Sequence, residues 1–336
     1  MSCCLVTGGC GYIGSHMVEL LESRGDKVLV LDNLSTGNAC SVKLSEIAVG
    51  DLLDYEFVRS VFRREKIDKV FHFAAKSLVA DSQKEPLKYY EENLLGSINL
   101  LKVMIENAVE RIVFSSSAAV YGDGTDQAIF EDSIQEPINP YGETKKIVEK
   151  MLADLSASGK VSSVSFRYFN AAGASQFGTI GEAHFPETHL IPRILNSAFA
   201  NQESEISIFG NDYETFDGTC VRDYVHVEDI CHAHLQGMEF LSKNNGAHVF
   251  NIGAGEGYSV LDVIDVASKV TERNFRPKFM PRRPGDPARL VADISKIKLE
   301  LGWQPQQSGL DSIIRSAWDW HRTDKYRQMI EGSLDK

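Results

Sequence analysis

The 336-residue sequence lacks the signals of a membrane or secreted protein. It contains no uninterrupted apolar stretch long enough to span a bilayer, and its first residues have neither a basic segment nor a long apolar one. Its six cysteines form no C-x-x-C pair, which is the spacing of many zinc and thiol-exchange sites, so we interpret them as free thiols. We therefore expect a cytoplasmic protein.

An excess of basic residues is also absent. The chain has 35 Lys and Arg against 47 Asp and Glu, which gives a net charge of −12. The negative electrostatic field of such a chain repels polyanions, so we expect no nucleic-acid partner and no membrane partner. A ligand that carries phosphate must then be held by a few local donors. The composition is otherwise that of an ordinary globular protein, with 43% hydrophobic and 24% charged residues.

One cluster of potential metal ligands occurs in the sequence. Cys231, His232 and His234 lie close together, but they fall inside an apolar pattern with helical spacing. A role in filling the core is the better interpretation of such a pattern. We therefore predict no bound metal.

Short β-branched runs alternate with segments of helical periodicity in the first half of the chain. Between the first two runs, Ile13, Met17, Leu20 and Leu21 have the spacing of one helical face. This βαβ rhythm predicts an α/β fold with a Rossmann-type, doubly wound parallel sheet, whose ligand crevice lies at the carboxyl ends of the strands. The apolar runs are residues 5–6, 28–31, 70–75, 112–114 and 164–168.

The rhythm breaks after Asn170, where the chain becomes richer in glycine and polar residues. We expect a smaller, mixed α/β C-terminal substrate domain to begin there. Residues 224–241 and 249–252 again have the patterns of a helix and a strand, which suggests a return to the sheet. The predicted nucleotide-binding domain is 1–170 with about 221–255 returning to it, and the predicted substrate domain is 171–220 and 256–336.

A glycine-rich turn follows the first predicted strand. Gly9, Gly11 and Gly14 match the pattern G-x-G-x-x-G and open a predicted helix. Glycines allow the backbone to approach a pyrophosphate, which then lies at the positive end of that helix. Asp32 ends the second predicted strand, where a carboxylate accepts hydrogen bonds from both ribose hydroxyls.

The residues after Asp32 distinguish between the two nicotinamide dinucleotides. A 2′-phosphate would place negative charge against the carboxylate of Asp32. Asn33 and Leu34 follow it and supply no compensating arginine. The sequence therefore predicts NAD as the cofactor.

A candidate acid–base pair lies further along the chain. Tyr141 and Lys145 have i, i+4 spacing after Pro140, a residue suited to a helix start. A neighbouring ammonium and a positively charged nicotinamide would lower the pKa of the Tyr141 phenol and make it a base. Ser117 ends another predicted strand, where its hydroxyl can bond the reacting oxygen.

Several segments together resemble the UDP-glucose (UDP-galactose) 4-epimerases, a family of extended short-chain dehydrogenase/reductases. The resemblance extends in collinear order through nearly the whole chain. The segments that carry it are 7–14, 117–122, Tyr141 with Lys145, 167–174, 208–213, 218–224 and 282–286.

The resemblance implies a tightly held NAD that removes hydride from C4 of the sugar, leaving a 4-keto intermediate that turns over and takes the hydride back on its other face. It implies that Tyr141 is the base and then the acid, that Lys145 tunes it and holds the nicotinamide ribose, and that Ser117 assists. It also implies a homodimer formed through the helices around Leu94 and Ile147.

The resemblance implies two sets of binding residues. Arg222 and Arg283 would bond the diphosphate, and Asp286 would accept from the uridine ribose. The implied NAD contacts are Gly8, Gly11, Tyr12, Ile13, Gly14, Asp32, Asn33, Leu34, Ser35, Thr36, Asp51, Leu52, Phe73, Ala74, Ala75, Asn93, Ser115, Tyr141, Lys145 and Phe169. The implied UDP-sugar contacts are Ser117, Tyr141, Asn170, His189, Leu190, Ser207, Ile208, Phe209, Arg222, Tyr224, Val260, Arg283, Asp286 and Leu290.

Three positions depart from the family pattern. Ser77 stands where a lysine usually lies near the cofactor phosphates, which leaves open whether Lys76 substitutes. His189 stands where an asparagine often contacts the diphosphate. Leu290 stands where a bulky tyrosine restricts the sugar pocket, so we expect room for a 2-acetamido group and some activity on UDP-GlcNAc and UDP-GalNAc.

Other functions remain open at this point. A sugar-nucleotide dehydratase would need an acidic pair where this sequence has Ala118 and Ala119, so that activity is disfavoured. A UDP-pentose or a UDP-uronic acid is an alternative substrate for an epimerase. A non-catalytic NAD-binding scaffold is the alternative of another class, although the Tyr141 and Lys145 pair is intact.

Overall fold

The computed structural model describes residues 3–123, 127–199, 203–283 and 285–334. Its strands are β1 (Cys3–Thr7), β2 (Lys27–Asp32), β3 (Glu46–Val49), β4 (Ile67–His72), β5 (Arg111–Ser117), β6 (Ser162–Tyr168), β7 (Asn170–Ala172), β8 (Glu203–Phe209), β9 (Val221–Arg222), β10 (Tyr224–His226), β11 (Ala247–Ile252), β12 (Tyr258–Ser259), β13 (Asn274–Met280) and β14 (Arg289–Leu290).

The helices alternate with the strands through most of the chain. They are α1 (Tyr12–Ser23), α2 (Tyr55–Arg64), α3 (Val79–Lys84), α4 (Pro86–Tyr89), α5 (Gly96–Glu106), α6 (Pro140–Ala157), α7 (Leu190–Ser197), α8 (Val227–Phe240), α9 (Val260–Thr271), α10 (Ser295–Leu301), α11 (Leu310–His321) and α12 (Asp324–Leu334). Short 3₁₀ turns cover Ala39–Ser41 and Ala118–Tyr121, and a π-helical turn covers Tyr90–Leu95.

Seven parallel strands form the main sheet, in the order β11-β6-β5-β4-β1-β2-β3. From β1 the chain moves outward through β2 to β3, and from β4 it moves in the opposite direction through β5 and β6. The order therefore reverses between β1 and β4, and this switch point opens a crevice at the carboxyl ends of the strands. The predicted doubly wound parallel sheet is confirmed.

Both faces of the sheet are covered by helices. Met17 of α1 and Ile230 of α8 pack with the side chains on one face, such as Val6. Helices α2, α5 and α6 cover the other face, where Leu5 packs with residues such as Leu101. Successive residues of β1 thus point to opposite cores, which is why this strand is an uninterrupted apolar run.

The cysteine and histidine cluster predicted to fill the core does not converge on one point. Cys231 and His234 are buried, whereas His232 is exposed. The His234 ring contacts the Tyr168 hydroxyl and the carbonyl of Ile230.

The remaining segments form three small sheets beside the main one. Strand β8 pairs in parallel with β13, β9 lies between β12 and β14, and β7 pairs with β10. A third core joins helices α7, α9 and α11 to β8. The segment 224–241 was predicted as one helix, but its first three residues form β10. They are extended because they pair with β7, and α8 begins only at Val227.

No helix in the described part of the chain is long and apolar enough to cross a membrane.

Candidate active site

The turn between β1 and α1 brings the backbone close to the crevice. Gly8 has a φ of +70°, and a Cβ there would lie 2.6 Å from the amide nitrogen of Ala74. A Cβ at Gly14 would lie 2.1 Å from the Gly8 carbonyl oxygen. Gly9, the first glycine of the predicted pattern, instead faces the side chain of Val30, and a Cβ there would lie 2.8 Å from it. Of the glycines in this turn, Gly8 and Gly11 face the crevice.

Asp32 lies at the end of β2 and is already tied to the turn. Its Oδ2 accepts from the Cys10 amide at 2.9 Å, and its Oδ1 accepts from the Leu34 amide at 2.8 Å. Burial raises the pKa of Asp32, while these two hydrogen bonds oppose that shift. Each carboxylate oxygen has a second lone pair, so Asp32 keeps the capacity to accept from ribose hydroxyls.

A cavity of about 620 Å³ extends from the glycine turn across the sheet edge. Its other wall is the segment 183–186 together with His189. Gly8 and Gly11 line this space without side chains, and Asp32 faces the same space, so these residues fit NAD. The predicted site residues that line the cavity are Gly8, Gly11, Asp32, Asn33, Ser35, Thr36, Asp51, Leu52, Phe73, Ala74, Ala75 and His189.

Other predicted cofactor residues lie outside the cavity lining. Asn93 is buried, where its amide bonds the backbone N–H and carbonyl of Lys76 and the hydroxyl of Thr144. The structure thus shows Asn93 positioning the loop after β4. Tyr12 donates its hydroxyl to the Gly173 carbonyl at 2.7 Å. The others outside the lining are Ile13, Gly14, Leu34, Ser115, Tyr141, Lys145 and Phe169.

The cavity also has lining residues that the prediction omitted. Both Lys76 and Ser77, the two residues at the departure from the family pattern, face it. The Lys76 ammonium lies 3.4 Å from a carboxylate oxygen of Glu92, so its charge is already partly balanced. Tyr89 and Leu78 contribute apolar surface to the cavity wall. Neither has a local sequence signal that marks it as a ligand contact.

Helix α6 presents Tyr141 and Lys145 on its first turns. The helix begins at Pro140, and the side chain of Asn139 caps it by accepting from the Gly142 amide at 2.9 Å. Lys145 is buried and donates to the Ser115 carbonyl at 2.7 Å. Its Nζ lies 5.8 Å from the centroid of the Tyr141 ring.

The surroundings of Tyr141 and Lys145 favour the neutral form of each side chain. Burial raises the pKa of Tyr141, and a hydrogen bond with Ser117 opposes that shift. Burial also lowers the pKa of Lys145 to about 7, against the opposing charge of Glu149. The lowering of the Tyr141 pKa therefore requires positive charge from a bound ligand as well as from Lys145.

A buried ion pair lies behind Lys145. Arg167 Nη2 donates to Glu149 Oε2 at 2.6 Å, and its Nε donates to Oε1 at 3.0 Å. Glu149 also accepts from the Ser116 hydroxyl, and Arg167 donates to Tyr121. Because Glu149 lies one helical turn after Lys145, its charge acts directly on the Lys145 ammonium.

The predicted diphosphate and ribose contacts form a second group. Arg222 and Asp286 form an ion pair, and Arg222 Nη2 also donates to the Pro287 carbonyl at 2.8 Å. The guanidinium carbon of Arg283 lies 4.0 Å from the centroid of the Phe209 ring. Phe209 ends β8, directly after Ser207 and Ile208. The structure thus brings both arginines into contact with other residues of the predicted set.

The remaining predicted sugar contacts lie on short elements around these two groups. Leu290 in β14 and Phe169 both pack against the hydrophobic cluster formed by the turn that follows Ser117 together with Ile129. Asn170 begins β7 and pairs with Tyr224 of β10. Leu190 begins α7, and Val260 begins α9. Tyr224 and Val260 are buried.

The fold and the site together define a class of enzyme. A glycine turn at the switch point of a parallel sheet, an acid at the end of β2 and a Tyr-x-x-x-Lys helix beside a strand-end serine are typical of dinucleotide-binding short-chain dehydrogenase/reductases. The chain belongs to the NAD dependent epimerase/dehydratase family, whose pattern matches residues 4–253. The resemblance found in the sequence and the prediction of NAD are thereby confirmed.

Individual relatives agree with this assignment. The chain is 48% identical to the UDP-glucose 4-epimerase of Lactobacillus helveticus over 320 residues, which is 95% of this chain and 97% of that protein. It is 46% identical to the UDP-glucose 4-epimerase of Halalkalibacterium halodurans over 318 residues, 95% of each chain. It superposes with a TM-score of 0.90 on UDP-glucose 4-epimerase from Brucella ovis in complex with NAD, at 40% identity, covering 95% of this chain and 98% of that one.

Proposed function

We propose that this chain is an isomerase, an NAD-dependent UDP-sugar 4-epimerase that interconverts UDP-galactose and UDP-glucose through a transient 4-keto intermediate. The observation that carries the proposal is the placement of Tyr141 on the first turn of α6, with Nζ of the buried Lys145 5.8 Å from the centroid of its ring, in a fold whose glycine turn fits NAD. The names of the relatives support the same reaction.

Each residue of the catalytic group has a separate task. Bound NAD supplies the acceptor and later the donor of the hydrogen at C4. Tyr141 takes the proton of the C4 hydroxyl as that hydrogen leaves, and returns it when the hydrogen comes back to the other face. Ser117 holds the reacting oxygen. Lys145, held by the Ser115 carbonyl, places positive charge near the phenolate.

Recognition of the UDP group requires rearranged contacts. Arg222 donates to Asp286 and to the Pro287 carbonyl, and a diphosphate would compete for the same guanidinium. We propose that the diphosphate takes donors from Arg222 and Arg283, which leaves Asp286 to accept from ribose hydroxyls. His189 at the cavity wall would add a further donor to the diphosphate.

Turnover of UDP-galactose tests the proposal. The purified protein is incubated with UDP-galactose without added NAD, and the anomeric protons are followed by NMR. We expect UDP-glucose to appear. Tyr141→Phe should reduce kcat by about 10²–10⁴-fold, the usual contribution of an acid–base group, with the Kd for UDP little changed. Failure of the wild type to turn over even with added NAD would favour another UDP-sugar or a non-catalytic scaffold.

We propose in addition that the site accepts N-acetylated sugars. Leu290 packs against the turn after Ser117, so a larger side chain there would narrow the space beside the reacting serine. Leu290→Tyr should therefore lower kcat/KM for UDP-GalNAc more than for UDP-galactose, by at least about tenfold in the ratio. An unchanged ratio in competing-substrate NMR would show that Leu290 does not set this selectivity.

We also propose that the protein acts in the cytoplasm as a homodimer. Leu94 and Ile147 are partly exposed, and Leu95 beside them is 42% exposed, so the helices on this side of the sheet present apolar surface. Sedimentation velocity should give twice the chain mass of 37.3 kDa. A single species at the chain mass would contradict this proposal.

A further inference from the structure

Two copies of a Glu-x-His unit lie next to each other in the segment before α7. The first is Glu182 with His184, and the second is Glu187 with His189. Carboxylate and imidazole ligands at such short spacing are common in metal sites. Of these four residues, only His189 stands at a position of the family pattern considered above.

The structure brings the four side chains to one point. One potential ligand atom from each residue lies within 4.8 Å of the others. His184 Nδ1 lies 3.1 Å from Glu182 Oε1 and 4.0 Å from Glu187 Oε2. His189 Nδ1 lies 2.5 Å from Glu182 Oε1 and 3.4 Å from Glu187 Oε1.

These distances are close to those of a tetrahedral metal site. Zinc binds nitrogen and carboxylate oxygen at about 2.0–2.2 Å, so the edges of a regular tetrahedron of ligands are roughly 3.3–3.6 Å. The four nitrogen–oxygen separations lie on both sides of that range, from 2.5 to 4.0 Å, and Glu187 faces His184 with Oε2 and His189 with Oε1. Small side-chain rotations would therefore equalise them.

The surrounding structure holds the ligands in place. The side chain of Glu182 is 6% exposed, and the carbonyl of the same residue accepts from Trp320 Nε1 at 2.9 Å. Glu187 Oε1 accepts from the amides of Thr188 and His189 at 2.7 and 2.8 Å. The His184 ring makes an edge contact with the ring of Tyr12. Ordered carboxylates of this kind need little reorganisation to bind a cation.

We propose that Glu182, His184, Glu187 and His189 form a binding site for one divalent transition metal ion, with Zn²⁺ as the best fit. Two carboxylates match the charge of a divalent ion, and two imidazoles select against Mg²⁺ and Ca²⁺, which prefer oxygen ligands. This proposal replaces the prediction of no metal.

The bound ion would have a structural role at the cavity wall. It would join the segment that contains His184 to the start of α7, and both histidines line the cavity. Ligation through Nδ1 leaves the proton of His189 on Nε2, where it remains a hydrogen-bond donor. The metal site is thus compatible with a contact between His189 and the diphosphate, but it does not depend on that contact.

Metal binding is measured directly, without reference to turnover. The purified full chain is treated with a chelator, dialysed, and titrated with Co²⁺, whose visible bands are strong in four-coordinate sites, and then with Zn²⁺ in competition. We expect one ion per chain and displacement of Co²⁺ by Zn²⁺. Removal of His184 and His189 together, as H184A/H189A, should weaken binding by at least about 100-fold, since both nitrogen ligands are lost.

Matched controls separate this site from surface binding. The variant H232A/H248A removes two histidines elsewhere and should bind as the wild type does. His189→Ala alone, at a side chain that is 53% exposed, serves as a milder variant if the double substitution fails to fold. Absence of stoichiometric binding to the wild type, or undiminished binding to a folded His189→Ala variant, would overturn the proposal. Either result concerns metal binding alone, so it decides nothing about turnover of UDP-galactose by the wild type.

Discussion

At the scale of single residues, the proposed chemistry depends on Tyr141 and Lys145, whose ionised forms carry opposite charges. Burial favours the neutral forms of both Tyr141 and Lys145, so it raises the pKa of the first and lowers that of the second to about 7. The charge of Glu149 opposes the shift at Lys145, and Arg167 holds Glu149 in place. Glu149 therefore acts as a positioning residue, through Lys145.

The substitution Glu149→Gln tests this electrostatic role. A negative charge near Lys145 favours its ammonium form, so the loss of that charge should lower the Lys145 pKa further. The decline of kcat/KM toward high pH should then begin at a lower pH than in the wild type, because kcat/KM follows ionisations of the free enzyme. The measurement is a kcat/KM profile for UDP-galactose from pH 5 to 9.

An appropriate control removes one charge from the exposed side of the same helix. Asp154 is 65% exposed and pairs only with Lys150 among the described residues, so Asp154→Asn should leave the profile unchanged. A Glu149→Gln profile identical to that of the wild type would show that Glu149 does not set the charge of Lys145.

At the scale of elements, the turn between β1 and α1 is the most constrained part of the site. Gly14→Ala would place a Cβ 2.1 Å from the Gly8 carbonyl oxygen. Because that oxygen belongs to the backbone, it cannot move aside as the end of a flexible side chain can. We expect this variant to bind NAD at least about 100-fold more weakly, since the helix would move away from the pyrophosphate. Calorimetric titration with NAD measures the effect.

Gly309→Ala is the control for this turn. A Cβ at Gly309 would meet only the Ser312 hydroxyl, at 4.0 Å, and the residue lies at the start of α11. Its affinity for NAD should equal that of the wild type. Normal NAD binding by Gly14→Ala would mean that the turn tolerates a larger shift than its geometry indicates.

The sequence predicts those strands and helices that have a local hydrophobic pattern of their own. The β-branched runs and the helical stripe of α1 marked the sheet, because parallel strands buried on both faces must be apolar throughout. The pattern G-x-G-x-x-G begins at Gly9, whereas the glycine with positive φ is Gly8, because the pattern alone does not show which glycine takes that conformation. The pairing of β8 with β13 had no signal, because its partners, such as Ile208 and Phe279, lie about 70 residues apart.

The residues of the candidate site also differ in whether the sequence alone predicts them. Asp32, Ser117 and Tyr141 each follow or begin an element with a clear pattern, so they could be placed from the sequence. Asn93 is buried and its side chain hydrogen-bonds the loop after β4, a role that depends on tertiary contacts. The convergence of the two Glu-x-His units likewise depends on how the segment folds.

At the scale of the whole molecule, Asp223 joins the main sheet to the smaller sheets. Its Oδ1 accepts from the Ala254 amide at 2.6 Å, and its Oδ2 accepts from the amides of Gly255 and Ala292, each at 3.1 Å. These partners lie after β11 and after β14. Asp223 is completely buried, so these three amides lie away from solvent.

Asp223→Ala should therefore destabilise the protein. Three buried amides lose their acceptor, so we expect the free energy of unfolding to fall by roughly 2–4 kcal/mol. Urea denaturation followed by circular dichroism measures the change. Asp311→Ala, at an exposed carboxylate that pairs with Arg315, should cost less than about 0.5 kcal/mol. Equal costs for the two variants would contradict the role given to Asp223.

In the proposed reaction, the hydrogen at C4 of the sugar leaves and returns within one closed site, while Tyr141 moves only the hydroxyl proton. The most direct test is to convert UDP-galactose in D₂O without added NAD and to integrate the C4 proton of the UDP-glucose formed. We predict full intensity at that position, with no deuterium from the solvent. Loss of the C4 proton signal in the product would contradict it.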